Sequence, residues 1–447
     1  VVLAFSTEVH DCTVPVPKRK RMRIGSPWIG GAVALVLALF GALAGARPAG
    51  FQPLDAPVLD RVVSETGFRP GVLERPCRAG PDGRCAARAV DSLATALRTP
   101  DETVRLVVLG DSHVASDYIT GMARHRLQAR YGNAGRGLVA PDRSHRYGGR
   151  RTSRTVGWRK ERIVDAGQAG KSFGLTGLVL ESACGGARVV YRVRPDDRFA
   201  EIFFEGHPRG PEVEVRTGTV SVRLGTAAPS RRVAVWRIPV EGHDRLVVRA
   251  LGAGVRLFGV AFETGRPGVI LEAMGPVGAE SQVYLQMDRQ SFLEHLRLRR
   301  PDAILTMLGG NDALKVRKGW WTLDRVERQF RELLRVVQDG LPGVECIVLT
   351  PMDAGRRREE RVVSRAMIPE VAEILRRVAL EQGCAVWDLL AAMGGPGSIS
   401  RWVRAGVINP EDLLHPRKAA ADVIGRGLAQ VLVDAVETAT TAPAAPR

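Results

Sequence analysis

The spacing of apolar positions changes character twice along the chain. Val104-Arg-Leu-Val-Val-Leu109 is a nearly unbroken apolar run ended by Gly110-Asp111-Ser112, which predicts a buried parallel strand and a sharp turn into a helix beginning near Asp117. Ile119, Met122, Ala123 and Leu127 then share one helical face to about Tyr131, where Gly132-Asn133 stops it. The stretch from Gly135 to Arg162 reads as loop. From about 153 to 265 the period falls to two. Ala200–Phe204, Glu212–Arg216, Val220–Leu224, Val233–Ile238, Leu246–Arg249 and Val255–Phe262 are short, alternating runs separated by Gly, Pro and Asp, the rhythm of a β-sandwich. No helix-length amphipathic pattern interrupts them. Then the longer period returns. Strands are expected at 269–271, 303–308, 344–349 and 384–388, with helices over 280–298, 324–338 and about 362–382 between them. The expected fold class is therefore α/β, a parallel sheet of about five strands formed by 101–150 and 267–435, with an all-β domain, 151–266, inserted into it.

Polar groups collect at the ends of those strands, where open α/β sheets place their chemistry. Ser112 follows the first strand, Gly275-Pro-Val-Gly278-Ala279 the second and Gly309-Gly310-Asn311-Asp312 the third. Ser and Asp are also ordinary helix N-caps, so Gly110-Asp111-Ser112 alone does not establish a nucleophile. Asp412-Leu-Leu-His415, far downstream, supplies what a nucleophilic serine needs: a base and a carboxylate to orient it. Asn311 reads either as a turn residue or as an amide donor, and His113 as structural. Trp320-Trp321 fits a sugar-stacking wall and a hydrophobic lead into the next helix equally well.

Composition bounds the rest. A chain of 447 residues is too long for one compact core and points to two or three domains. The net charge of +17 favours anionic partners, but arginine is scattered over the whole length, which argues against nucleic-acid binding. Arg143, Arg146, Arg150, Arg151, Arg154, Arg159, Lys160 and Arg162 form a basic run that reads as a solvated face or as a guide for an acidic polymer. Lys18-Arg-Lys-Arg-Met-Arg23 precedes the uncharged run Trp28–Ala46, long enough to enter a bilayer, and Ala44-Gly-Ala46 fits a cleavage site. A cleaved signal peptide and a retained single-span membrane anchor both remain open within 1–46, and Met22 is a better-formed start for either. In both cases the bulk of the chain is expected to be exported, to the periplasm or cell envelope. Residues 47–100 read as a Pro-rich linker with a short helix over 86–97, and 436–447 as a disordered tail. Cys77 and Cys85 are spaced for a local disulfide. Cys346 and Cys384 open two strands and are expected to be buried thiols rather than a bridge. Cys12 and Cys184 stay unassigned. Trp158, Tyr191 and Trp236 in the β-domain read as core, with sugar stacking as the alternative.

Gly110-Asp111-Ser112, a glycine after the second strand, Gly309-Gly310-Asn311-Asp312 and Asp412-x-x-His415 resemble, in order and spacing, the four blocks of the SGNH (GDSL-type) hydrolase superfamily. The runs Gly110-Asp-Ser-His113, Tyr131-Gly-Asn-Ala-Gly-Arg-Gly137 and Trp387–Gly395, together with the inserted β-domain, are similar to one branch of it, the peptidoglycan O-acetylesterases. The resemblance covers about 103–432. It implies a flavodoxin-like three-layer hydrolase domain with an inserted all-β sandwich akin to a carbohydrate-binding module. It also implies a catalytic set of Ser112, His415 and Asp412, and an oxyanion hole formed by the N–H groups of Ser112 and Gly278 and the side chain of Asn311. Gly275 competes with Gly278 for its role, because the second block departs from the usual pattern. No cofactor or metal is called for. The expected activity is removal of O-acetyl groups from an envelope polysaccharide, peptidoglycan foremost. An acetyltransferase and a non-catalytic polysaccharide-binding protein are the alternatives.

Overall fold

The computed structural model describes residues 51–79, 85–99, 101–142 and 153–439. The expected anchor, Trp28–Ala46, the proposed start at Met22 and Cys12 lie outside these residues, as do 440–447 of the expected tail. Among the described residues no helix is long and apolar enough to cross a membrane.

Five parallel strands form the central sheet: β1 (Thr103–Gly110), β2 (Gly268–Met274), β3 (Ala303–Met307), β4 (Glu345–Leu349) and β5 (Ala385–Trp387). Their order is β2-β1-β3-β4-β5. Successive residues of each strand enter opposite cores, as a pleated strand requires. Leu106, Val108, Leu305 and Ile347 pack with helices α1 (Ile119–Tyr131) and α5 (Lys418–Thr438). On the other face, Val107, Leu109 and Ile304 meet α2 (Arg289–Arg299) and α3 (Leu323–Gly340). Cys346, Val348 and Val386 meet α3 and α4 (Ile368–Glu381). Both faces are covered, and this explains why these strands read as continuous apolar runs. The order of strand addition reverses at β1, with β2 on one side and β3 on the other, so the carboxyl ends of β1 and β3 open a crevice at that point.

The inserted segment forms two antiparallel sheets sharing one core. One runs Val220–Gly225, Glu212–Thr217, Arg245–Ala250, Arg188–Arg192, Ser153–Val156. The other runs Arg232–Pro239, Phe199–Gly206, Arg256–Glu263, Leu178–Ser182, Trp158–Arg162. Val189, Val215 and Val248 of the first sheet meet Ile202, Leu257 and Phe262 of the second. Gly135–Val139, read as loop, is instead a strand pairing with Val260–Glu263, and it is also packed against β2. Two glycines and an arginine in five residues hide its strand character from a propensity reading. Tyr191 is fully buried, and Trp236 stacks on Phe204 at 3.6 Å between ring centroids, so both serve the sandwich core and not a sugar face.

A buried ionic cluster joins the two parts. Arg299, at the end of α2, donates to Glu272 of β2 (2.9 Å), to Glu201 (2.5 Å) and to Glu263 (3.1 Å), the last two on sandwich strands. Glu272 also accepts from the Leu138 N–H at 2.8 Å, and Arg105 of β1 donates to Glu263 at 3.0 Å. Burial disfavours the Arg299 charge, but the three carboxylates outweigh it and raise its pKa.

Other expectations are corrected. The 47–100 stretch is more than a linker: besides a helix at Asp91–Arg98, within the region expected to be helical, and the expected Cys77–Cys85 disulfide, it holds an unexpected helix, Ala56–Thr66, and both helices pack on α5. The helix expected over 280–298 breaks at Met287-Asp288, where Asp288 caps α2 by accepting from Ser291 N. The helix expected from 362 begins at Ile368, and a hairpin, Gly355–Arg358 with Arg361–Ser364, precedes it. Cys346 and Cys384 are joined in a disulfide, not free thiols. Register decides this: Ile347 pairs with Ala385, which brings the preceding cysteines opposite each other with Cα atoms 4.7 Å apart.

Candidate active site

β1 ends at Gly110, and Asp111 and Ser112 turn at once into a single helical turn, Ser112–Ala115. A side chain at Gly110 would lie 2.2 Å from Val114 Cγ2, so the turn closes only around glycine. Tyr284 holds the turn from below. Its buried hydroxyl accepts from Gly110 N–H at 2.9 Å and lies 2.6 Å from the Met274 carbonyl, tying the ends of β1 and β2 together. Nothing in the sequence marks Tyr284 for this position.

Ser112 Oγ lies 2.8 Å from His415 Nε2, and His415 Nδ1 lies 2.8 Å from Asp412 Oδ2. Residues 303 positions apart thus form a continuous hydrogen-bonded relay. The Asp412–His415 turn is organised around the carboxylate: Oδ1 accepts from the N–H groups of Leu414 (2.9 Å) and His415 (3.0 Å), and Oδ2 also accepts from Asn409 Nδ2 at 3.2 Å. Arg365 donates to the Asp412 carbonyl at 2.8 Å. Asn409 and Arg365 were not legible as site residues because they act on the turn and not on the reacting groups.

The electrostatics separate base from carboxylate. Burial works against the Asp412 charge, but hydrogen bonds from His415 and Leu414 outweigh it and hold its pKa below the usual value. Burial, together with the charge of neighbouring His113, pushes His415 below its ordinary 6.5 despite the pull of Asp412. At neutral pH the ring is therefore uncharged and able to take a proton from Ser112.

A second pair lies beside the first. Asp111 Oδ1 accepts from His113 N (2.9 Å) and from the His113 ring (3.0 Å), and the ring lies 5.3 Å from that of His415 between centroids. Burial opposes both charges, yet the pairing prevails, lowering Asp111 and raising His113. His113 is thus structural, as expected, and also a charge next to the base.

The remaining expected residues fall as follows. Ser112 N–H sits in the first helical turn, where no preceding helical carbonyl is available to it. Asn311 Nδ2 donates to the Ala279 carbonyl at 2.8 Å and to Asp111 Oδ2 at 3.3 Å, so it bridges the second and first blocks. Gly309, at φ +104, caps the short helix Gly310–Arg317 that carries Asn311. Gly310 lies beside Asp111, whose Oδ2 would be 3.9 Å from an added Cβ. Gly278 occupies an exposed turn at φ +84 with open space around it, whereas a Cβ on Gly275 would meet Asp111 O at 2.3 Å and Ala115 N at 2.5 Å. The competing glycine, not Gly278, is the one that touches the Ser112 turn directly. Trp321 is buried and Trp320 is 60% exposed, so the pair divides between core and surface. Of the basic run, Arg143, Arg146, Arg150 and Arg151 lie outside the described residues, while Arg159, Lys160 and Arg162 are paired with Glu181, Asp142 and Asp165. Among the described residues no cluster of His, Cys, Asp and Glu has the makings of a metal site.

Comparison with known proteins places this geometry. Residues 246–423, less than half of the chain, match the GDSL-like Lipase/Acylhydrolase family; that span includes Gly278, Asn311 and His415 and leaves out Ser112. No curated protein matches the sequence. Among solved structures, a peptidoglycan O-acetylesterase is similar over 86% of this chain and 96% of its own, at 18% identity and a TM-score of 0.64. An acetyl xylan esterase from Geobacillus stearothermophilus matches 37% of this chain and 73% of its own at 16% identity, with a TM-score of 0.29. The first of these likenesses extends over both the parallel sheet and the inserted β-sheets. The chain has an SGNH/GDSL-like hydrolase fold, related in architecture to that of a peptidoglycan O-acetylesterase.

Proposed function

We propose that the protein is an exported serine esterase that removes O-acetyl groups from a cell-envelope polysaccharide, with peptidoglycan as the substrate. The observation that carries this reading is the relay of two 2.8 Å contacts from Ser112 through His415 to Asp412. Ser112 Oγ attacks the acetyl carbonyl carbon as His415 Nε2 takes its proton. The tetrahedral intermediate then collapses, breaking the bond to the sugar oxygen, which receives the proton from His415. Water repeats the sequence on the acyl-enzyme: its proton goes to His415, its oxygen to the acetyl carbon, and acetate leaves as Ser112 regains a proton. Asp412 keeps the His415 proton on Nδ1 throughout. The N–H of Ser112, a backbone N–H of the Gly275–Gly278 turn and Asn311 Nδ2 stabilise the oxyanion, and Asn311 does so by giving up its 3.3 Å contact with Asp111. These steps use only groups of the chain and water. The likeness to a structure described as a peptidoglycan O-acetylesterase favours this polymer.

Hydrolysis of 4-nitrophenyl acetate by the protein and by Ser112→Ala tests the mechanism. The variant is expected to be inactive, and equal rates from the two would eliminate the proposal. Acetate release from O-acetylated peptidoglycan, set beside acetylated xylan, tests the substrate. Transfer of acetyl to a sugar acceptor in place of water would identify an acetyltransferase.

A further inference from the structure

The hairpin Gly355–Arg358/Arg361–Ser364 follows β4 at the same sheet edge as Ser112, and it is rooted in the loop that presents His415. Gly355 N–H donates to the Leu413 carbonyl at 2.7 Å. Arg365 closes the root, donating from Nε to the Gly355 carbonyl at 2.9 Å and from Nη2 to the Asp412 carbonyl at 2.8 Å. Four strand residues extend about 13 Å from that root. Arg356, Arg357, Arg358 and Arg361 are all exposed, with Glu359 and Glu360 between them in the turn. None of the four is paired with a carboxylate among the described residues.

Several surface cations of this arginine-rich chain are neutralised by neighbouring carboxylates. Arg331 and Arg377 share Glu327 and Glu381, and Arg237 meets Glu201. The four arginines of the hairpin have no such partner among the described residues and lie within one short element, and the field is reinforced nearby. Arg365 is held below its ordinary pKa first by burial and then by the charge of Arg317. Just beyond the helix Gly310–Arg317, which Arg317 ends, exposed Trp320 has Lys318 Nζ 4.3 Å and Lys315 Nζ 5.4 Å from its ring centroid. Only Glu280, at 3.3 Å from Lys315, offsets these lysines among the described residues.

We propose that this hairpin, flanked by Arg317, Lys318 and Trp320, is an anchoring surface for an acidic glycan chain. Carboxylates of the polymer pair with the guanidinium forks while Trp320 presents an aromatic face to a sugar ring, and Ser112 works on an ester elsewhere along the same strand. The proposal rests on the esterase reading and adds a substrate class: an anionic polymer is preferred over a neutral one. Exposed ion pairs are individually weak and screened by salt, so the contribution comes from several acting on one chain and belongs in KM.

The test compares the full-length protein with R356Q/R357Q/R358Q and R356K/R357K/R358K on O-acetylated peptidoglycan, neutral acetylated xylan and 4-nitrophenyl acetate, at low and high salt. The glutamine variant should raise KM for peptidoglycan roughly tenfold at low salt, with kcat, xylan and the small ester unchanged. The lysine variant should retain most of the affinity, and high salt should bring the unmodified protein to the KM of the glutamine variant. An unchanged peptidoglycan KM in the glutamine variant overturns the proposal. So does a peptidoglycan KM of the unmodified protein that ignores salt, a measurement that stands even if the glutamine variant misfolds. If the unmodified protein hydrolyses no ester, the esterase reading fails instead, and salt-dependent co-sedimentation with peptidoglycan sacculi still decides the anchoring surface: loss of pelleting in the glutamine variant supports it and equal pelleting overturns it.

Discussion

Three donors fix the Asp412 carboxylate before His415's ring reaches it, which makes the turn rigid and the ring's tautomer single. Asp412→Asn would present an amide to Nδ1 and favour the wrong tautomer, with an expected loss of about 10²–10⁴ in kcat and little change in KM. Asn311→Ala removes the proposed oxyanion donor and the bridge to Ala279 together, with an expected loss of about 10²–10³ in kcat. Single-substrate kinetics on 4-nitrophenyl acetate check both. The pH profile follows from His415. Its pKa is lowered, so the neutral, active ring persists below 6.5, and kcat/KM should fall only as pH drops further into acid. His113 is raised and stays charged across that range, so His113→Gln, by removing a neighbouring positive charge, should move the acid limb to higher pH. A limb unchanged in the variant would show that His113 does not act on the base.

At the scale of elements, the two glycines of the second block fail for different reasons, one by collision and one by backbone conformation alone. Gly275→Ala forces a methyl into the backbone of the Ser112 turn at 2.3 Å and 2.5 Å, and no flexible side chain is there to yield. We expect destabilisation of about 1–3 kcal/mol and a displaced nucleophile, read together by thermal melting and kcat. Gly278→Ala meets no atom within 4 Å and suffers only the left-handed φ of +84, about 1–2 kcal/mol in stability. The strands and blocks were legible because the parallel sheet needs continuous apolar runs and the site needs particular residue types at their ends. What escaped had a different physical basis. Ala56–Thr66 reads as linker because it follows the Pro-rich Arg47–Pro53, yet Pro57 in the first turn after Asp55 suits a helix start, and Leu59 and Val62 supply its buried face. Arg361–Ser364 falls at the expected start of a helix, and only pairing with Gly355–Arg358 makes it a strand. The Cys346–Cys384 bridge depended on the register between β4 and β5, which no single strand reveals.

The junction between the parallel sheet and the sandwich is hard to read from the sequence and carries a pH dependence of its own. His295 of α2 is fully buried between Phe258 and Phe203, with ring centroids 4.7 Å and 6.0 Å away, and both its nitrogens lack a partner among the described residues. Burial drives its pKa from 6.5 to about 3. The folded protein thus refuses a proton that the unfolded chain accepts. The stabilisation is complete above 6.5 and is lost as pH falls toward the folded value, about 2 kcal/mol by pH 5. Denaturant midpoints measured at pH 7 and 5 should show this loss, and His295→Phe should reduce it.

Gly135–Val139 is hydrogen-bonded into the sandwich yet lies against β2, and Arg299 reaches carboxylates on both sides of the junction. The insert is therefore no detachable module. A gene trimmed of it would leave Arg299 with Glu272 as its single remaining counterion in newly wetted ground, and a relative's insert would fit only if it carried carboxylates where Glu201 and Glu263 stand. Recombination can exchange the insert only where those charges travel with it.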